Sequence, residues 1–195
     1  MHRKELIQMA DFVEIEGFHG TSKANANAIL SSGYLLSRGD DHWVGEGVYL
    51  FVDGIGIGQK DAKDWAIYKA WDNGLKRNTY PFYGVIKSTV VVEEDMLLDL
   101  TTKDGVDVFN YIVEKCHKKL ADIGKSKKYI DGYVINFGRR ELKLNIDVVK
   151  ANEYIQLSLS DRLTGIKRRI PNCTICAVAN TTTIRKNELI LSGRI

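Results

Sequence analysis

The glycine run Gly54-Ile55-Gly56-Ile57-Gly58 invites a nucleotide-binding reading. A dinucleotide fingerprint needs a further glycine three residues after the second, opening a helix, and an acidic residue about 20 positions on. Neither Gln59 nor its neighbours supply this, so the run reads as a flexible loop beside a site; a phosphate-binding Walker loop is absent too. Cys173-x-x-Cys176 has no second pair to complete a zinc site, and Cys116 leaves the thiol count odd. A redox CxxC would open a helix, whereas Cys173-Thr174-Ile175-Cys176-Ala177-Val178 reads as a strand, so the thiols are expected to be buried and structural. What remains is a pair of segments. Phe18-His19-Gly20-Thr21 ends a strand-like stretch, and Gly45-Glu46-Gly47-Val48-Tyr49-Leu50-Phe51 follows a helix that closes on Ile29-Leu30-Ser31-Ser32-Gly33. A histidine after a strand is, alone, more often a structural residue than a ligand.

In this order the segments resemble the His-Gly-Ser/Thr motif, the ILxxG helix end and the Gly-x-Gly-Ile/Val-Tyr-Phe/Leu strand of poly(ADP-ribose)-polymerase-like, diphtheria-toxin-type ADP-ribosyltransferases. The resemblance implies a co-substrate, NAD, and roles for named residues. His19 would bind the nicotinamide ribose hydroxyl, the Gly20 backbone would hold the carboxamide, Tyr49 would stack on the ring, and Thr21 completes the motif. The chemistry is coherent. A carboxamide needs one close backbone donor and one acceptor, which glycine permits, and a flat ring gains about 1 kcal/mol from offset stacking on tyrosine. A second aromatic covers the ring in this family; Trp65, in Ala62-Lys63-Asp64-Trp65-Ala66, either takes that place or packs its helix on the core with Tyr68 and Trp71. Arg38 is placed to reach the pyrophosphate or to stand on the surface.

The family's third functional position opens the penultimate strand and is glutamate in polymer-forming enzymes. The stretch from Ile175 to Ile190 matches, without gaps, members that carry isoleucine there, making the triad His19, Tyr49, Ile175. That form is associated with transfer of single ADP-ribose units and, in some members, with loss of activity. A rival register places Asn152-Glu153-Tyr154-Ile155 at the position and restores an acid at Glu153, at the expense of unexplained chain before the last strand. Without the glutamate, cleavage of the activated nicotinamide bond can proceed through an oxocarbenium-like state, with the acceptor or another residue supplying the base; Glu153 and Glu46 are the carboxylates to test.

The elements that must position these residues follow from hydrophobic patterning. Phe12 to Gly20 alternates as a strand, Thr21-Ser22 offers a helix cap, and a helix runs from Lys23 to about Ser32 with Ala24, Ala28 and Ile29 or Leu30 on one face and Gly33 as its stop. Gly45 to Val52 is a short strand, and a helix follows from about Lys60 to Trp71. The β-branched run within Tyr83 to Leu100 predicts a long strand with a bend before Met96. A helix is expected from about Val106 to Ile123, with Lys118, Lys119, Lys125, Lys127 and Lys128 toward its end. Strands are expected at Tyr129 to Phe137, Leu142 to Val149, Thr174 to Ala179 and Ile184 to Leu191. The absence of regular strand–helix alternation predicts an α+β class. The resemblance refines it to a split, mostly antiparallel β-sandwich of the ADP-ribosyltransferase type with flanking helices and NAD between the sheets.

A chain of 195 residues without repeats or low-complexity tracts, and with prolines only at 81 and 171, is expected to form a single catalytic domain over 1–195. No stretch approaches the roughly 20 apolar residues of a membrane span, and Met1-His2-Arg3-Lys4-Glu5 leads into no apolar signal core, so a cytoplasmic protein without membrane contact is expected. Residues 136–195 carry net +6 and residues 1–135 net −3. That asymmetry favours an anionic partner mildly, since a run such as Lys167-Arg168-Arg169 is as often a solvated loop. The expected reaction is transfer of one ADP-ribose from NAD, without a metal, to RNA or protein. The alternatives are an inactive NAD-binding module and an NAD glycohydrolase. Its likeness to stand-alone toxin and phage-defence enzymes also implies an antitoxin as a partner.

Overall fold

The structure, a computed structural model, describes residues 10–123, 129–165 and 168–195. The first five residues, Lys125, Lys127, Lys128 and Lys167, on which expectations rested, lie outside them. Strand β1 (Phe12–Ser22) leads through helix α1 (Lys23–Ser32) to β2 (Val48–Val52) and helix α2 (Gly58–Ala70). A small hairpin, β3 (Trp71–Asp72) with β4 (Arg77–Asn78), precedes the long β5 (Phe82–Glu93) and short β6 (Leu97–Asp99). Helices α3 (Lys103–Ile123) and α4 (Ile130–Arg140) follow, then β7 (Val148–Glu153), α5 (Leu159–Thr164), β8 (Cys173–Val178) and β9 (Ile184–Arg194).

The fold is α+β, built on a mixed, mostly antiparallel seven-stranded sheet in the order β6-β7-β8-β2-β1-β5-β9, with only β6 and β7 parallel. Strand β1 pairs β5 along its whole length, from Phe12 opposite Glu93 to Ser22 opposite Tyr83. Its other edge meets β2 only where Gly17 faces Val52 and Phe18 faces Phe51. The sheet is thus hydrogen-bonded throughout, with a seam at its centre beyond which β1 and β2 part.

Side chains alternate across a strand, so each face builds its own core. On one face Phe18, Phe51, Ile175, Ala177 and Val149 pack under α2, α3 and α4, through Ala62, Ala66, Ile112, Val134 and Ile135. On the other, Val48, Leu50, Val90, Val92, Cys176 and Val178 pack with Tyr34 and Leu36.

Local chemistry explains the elements around the seam. Ser22 has extended backbone and its Oγ accepts from the Asn25 N–H at 3.1 Å, satisfying an amide that the first turn of α1 leaves free. Gly33 closes α1 at φ 80°, its N–H donating to the Ile29 carbonyl. The buried residue of α1 is Ala26, against Gly84 of β5, whereas the expected face residues Ala24 and Ala28 are exposed. Helix α2 starts where Asp53 Oδ1 accepts from the Gly58 N–H at 2.8 Å.

The glycine run forms the corner between β2 and α2. A Cβ at Gly54, Gly56 or Gly58 would lie within 3 Å of Thr174, Asp61 or Phe18 respectively, and the Ile55 N–H donates to Thr174 Oγ1. Glycine is there because the corner is close-packed. The segment expected as a strand from Tyr129 to Phe137 is helix α4. Ile130, Tyr133, Val134 and Phe137 have helical spacing, and the β-branched and aromatic residues that favour strands serve packing instead. Residues 142–147 are irregular, so the next strand begins at Val148 rather than Leu142. The cysteine strand is as expected: Cys173 and Cys176 are buried, on opposite faces of β8, and burial pushes both thiols up to about 12.

Candidate active site

A cleft of about 710 Å³ opens where β1 and β2 part. Its walls come from both faces of the sheet: His19, Tyr34 and Leu50 from one, Tyr49, Phe51, Trp65 and Ile175 from the other. It therefore passes through the seam. Of the residues singled out from the sequence, His19, Thr21, Tyr49, Trp65 and Ile175 line it, whereas Gly20, Arg38 and Glu153 do not.

His19 Nδ1 lies 2.9 Å from the carbonyl oxygen of Tyr49. A carbonyl only accepts, so Nδ1 carries the proton, and burial lowers the ring's pKa, keeping it neutral. Nε2 is left as an acceptor, without a hydrogen-bond partner among the described residues. Tyr34 packs edge-on against the ring, 5.4 Å between centroids, and its hydroxyl lies 2.8 Å from Ser88 Oγ.

Tyr49 is fixed through its phenol. The hydroxyl donates to the Gly45 carbonyl at 2.6 Å and accepts from the Val44 N–H at 3.1 Å, so the ring is tied to the loop before its own strand. That loop is in turn held by α4. Buried Asn136 accepts from the Glu46 N–H at 2.9 Å and donates to the Gly39 carbonyl and to Asp40 Oδ1, both at 3.0 Å. Arg139 donates to the carbonyls of Ile146 and Glu46, and Arg140 pairs with Asp40 and Glu46. Gly132 is required in α4 because a Cβ there would lie 1.9 Å from the His42 carbonyl oxygen.

Trp43 packs edge-on against Tyr49, with centroids 5.5 Å apart and planes at 73°, and His42 meets the same ring at 6.2 Å. Trp43 meets Trp65 at the same separation and Tyr129 at 6.2 Å. Trp65 itself stacks on Tyr68 and carries Lys69 over its ring, so it both lines the cleft and packs its helix. Gly20 has a packing role as well: a Cβ there would lie 1.6 Å from the Ala62 carbonyl oxygen, so β1 and α2 touch backbone to backbone. Arg38 is exposed, and its carbonyl accepts from His42 Nε2.

Ile175 is buried in β8, opposite Phe51 of β2 and Ala151 of β7. Glu153 ends β7 opposite Cys173, half-buried, and burial together with the nearby Asp131 carboxylate pushes it up to about 7. Trp43, Tyr34, Tyr129 and the α4 clamp were not found from the sequence. Only the position of Trp43, two residues before the Gly45 motif, offered a signal.

No known protein family's sequence profile matches the chain. It is 28% identical over 200 residues to an uncharacterized protein of Methanocaldococcus jannaschii, covering 92% of this chain and 89% of that one. Among the described residues no helix is long and apolar enough to cross a membrane.

Proposed function

We propose that this protein is a mono-ADP-ribosyltransferase of the poly(ADP-ribose)-polymerase-like kind, which cleaves NAD, releases nicotinamide and passes ADP-ribose to RNA or protein. The observation that carries the reading is the His19–Tyr49 bond across the parted strands. It presents an unpartnered imidazole acceptor and a fixed tyrosine ring in one cleft, the pair that a ribose hydroxyl and a nicotinamide ring require. A volume of about 710 Å³ is within the range of ligand sites for cofactor-sized molecules. Its lining is mainly apolar and aromatic, and excluding water from a flat ring there strengthens each hydrogen bond at its edge.

In this reading the C1′–N bond of the nicotinamide riboside breaks with its electron pair leaving on nicotinamide. His19 Nε2 orients the ribose by accepting a hydrogen bond from one of its hydroxyls. Ile175, apolar and buried, stands where the polymer-forming enzymes carry glutamate, which supports transfer of single units over chain growth. The test is incubation of the purified protein with labelled NAD and cell extract, followed by separation of RNA, protein and free ADP-ribose. Label in RNA or protein as single units supports the reading; a ladder of units, or intact NAD, refutes it. Label appearing only as free ADP-ribose would make water the acceptor and the protein a glycohydrolase.

A further inference from the structure

Transfer to a hydroxyl requires that something take its proton, and Ile175 cannot. Resting on the transferase reading above, we propose that Glu153 is the general base, supplied from the end of β7 rather than from β8. The register Ala151 opposite Ile175 and Glu153 opposite Cys173 puts Glu153 on the sheet face that carries Ile175, Phe51 and Tyr49. Glu153 is the diagonal neighbour of Ile175. Diagonal side chains on one face stand about 7–8 Å apart, a gap that a glutamate side chain and an acceptor hydroxyl together span. Glu153 is not itself one of the residues lining the cleft, but its diagonal neighbour Ile175 is.

Its main chain is tied and its side chain is not. The Glu153 carbonyl accepts from the Asn172 N–H at 3.0 Å and from Cys173 Sγ at 3.3 Å, while its carboxylate has neither a hydrogen bond nor an ion pair among the described residues. A half-buried carboxylate kept only for stability would be paired, because desolvating an unpaired charge is costly. The groups that bear on it are Asp131, in the first turn of α4, the Cys173 thiol and the Tyr49 phenol, none of which is a cation. These surroundings bring the carboxyl to about 7, where a base combines a substantial deprotonated fraction at neutral pH with the strength to accept a proton.

The step balances. As the acceptor oxygen bonds to C1′, the C1′–N bond breaks toward nicotinamide, the hydroxyl proton passes to the Glu153 carboxylate, and that proton is then released to water.

The experiment measures nicotinamide release from NAD by the full chain with cell extract as acceptor source, from pH 5 to 9, for wild type, Glu153→Gln, Glu153→Asp and Asp131→Asn. A melting-temperature shift by 3-aminobenzamide reports the cofactor slot separately. Glu153→Gln is expected to lower kcat by about 10²- to 10⁴-fold with KM for NAD and the 3-aminobenzamide shift retained. Glu153→Asp should recover part of the loss, and Asp131→Asn should move the acid limb of the wild-type profile to lower pH. Wild-type turnover in Glu153→Gln, with its acid limb intact, would overturn the assignment while leaving the transferase reading standing. A wild-type protein that neither releases nicotinamide nor responds to 3-aminobenzamide would overturn the transferase reading itself and, with it, this assignment.

Discussion

His19 and Tyr49 belong to strands that have already parted, and the hydrogen bond from His19 Nδ1 to the Tyr49 carbonyl oxygen bridges the gap. The bond fixes the tautomer, because only a protonated Nδ1 can meet a carbonyl. With its pKa lowered by burial, His19 is expected to stay neutral at pH 7 with the proton on Nδ1, which nitrogen-15 chemical shifts of the ring read directly. A proton found on Nε2 would remove the acceptor that the transferase reading assigns to the ribose. Because the folded pKa lies below the unfolded one, this histidine costs stability as pH falls through its unfolded value of about 6.5. His19→Ala should therefore make the protein less sensitive to acid and, on the transferase reading, abolish NAD turnover.

Gly20 offers a packing test that does not involve the cofactor. Alanine would drive a methyl into the Ala62 carbonyl, and overpacking of this kind costs about 1–3 kcal/mol. Urea unfolding of Gly20→Ala should show the loss. An unchanged midpoint would mean that α2 is not seated on β1 as described.

The clamp on the loop before β2 can be cut from a distance. Asn136→Ala leaves the Glu46 N–H and the Gly39 carbonyl without their partner, at about 1–3 kcal/mol for an unmet buried group. Since that loop holds the Tyr49 hydroxyl, KM for NAD should rise as well. Tyr49→Phe keeps the ring and removes only the tether, so it should raise KM less than Tyr49→Ala. Equal effects of the two would show that the tether, and not the stacking surface, matters.

Glu153 carries a stability signature independent of activity. Its folded pKa of about 7 exceeds the ordinary carboxylate value, so the folded state holds the proton more tightly and stability declines as pH rises through that window. Glu153→Gln removes the decline. Melting temperatures should match wild type near pH 4 and exceed it at pH 8, and a variant that is more stable yet inactive would display the trade-off expected of a functional group. A variant less stable than wild type at pH 8 would refute the burial of this carboxylate.

Much of the frame around the seam was readable. The alternation of Phe12–Ser22, the cap at Ser22, the stop at Gly33 and the buried strand Cys173–Val178 all announce themselves within a few residues. Such signals are local: hydroxyls beside a free amide, glycine at a left-handed position, period-two apolar residues. The failures came where distant contacts decide. Ile130–Arg140 contains residues that favour strands, and it is helical because Gly132 and Gly138 let it lie against the His42 carbonyl and Ile112. Its place just before the Gly45 motif brings Trp43 near Tyr49, but its contacts with Trp65 and Tyr129 are set by distant packing. The crowding at Gly54 and Gly58 is likewise invisible locally, since it comes from Thr174 and Phe18, far away in the sequence.

Beyond Phe18 the seam turns an interior strand into an edge: every second amide and carbonyl of β1 and β2 there faces the opening instead of another strand. A ligand lying in the opening stands where strand-to-strand bonds would otherwise be, and completes the sheet in the way an added strand would. Its arrival should then be written in hydrogen–deuterium exchange, as slowing at the amides of His19–Ser22 and Val48–Leu50 that face the opening, while their neighbours bonded to β5 and β8 are already slow. The two halves of the sheet, joined without ligand through Gly17, Phe18, Phe51 and Val52, would become one exchange-resistant unit, so occupancy of the cleft and rigidity of the whole sheet are the same event seen at two scales.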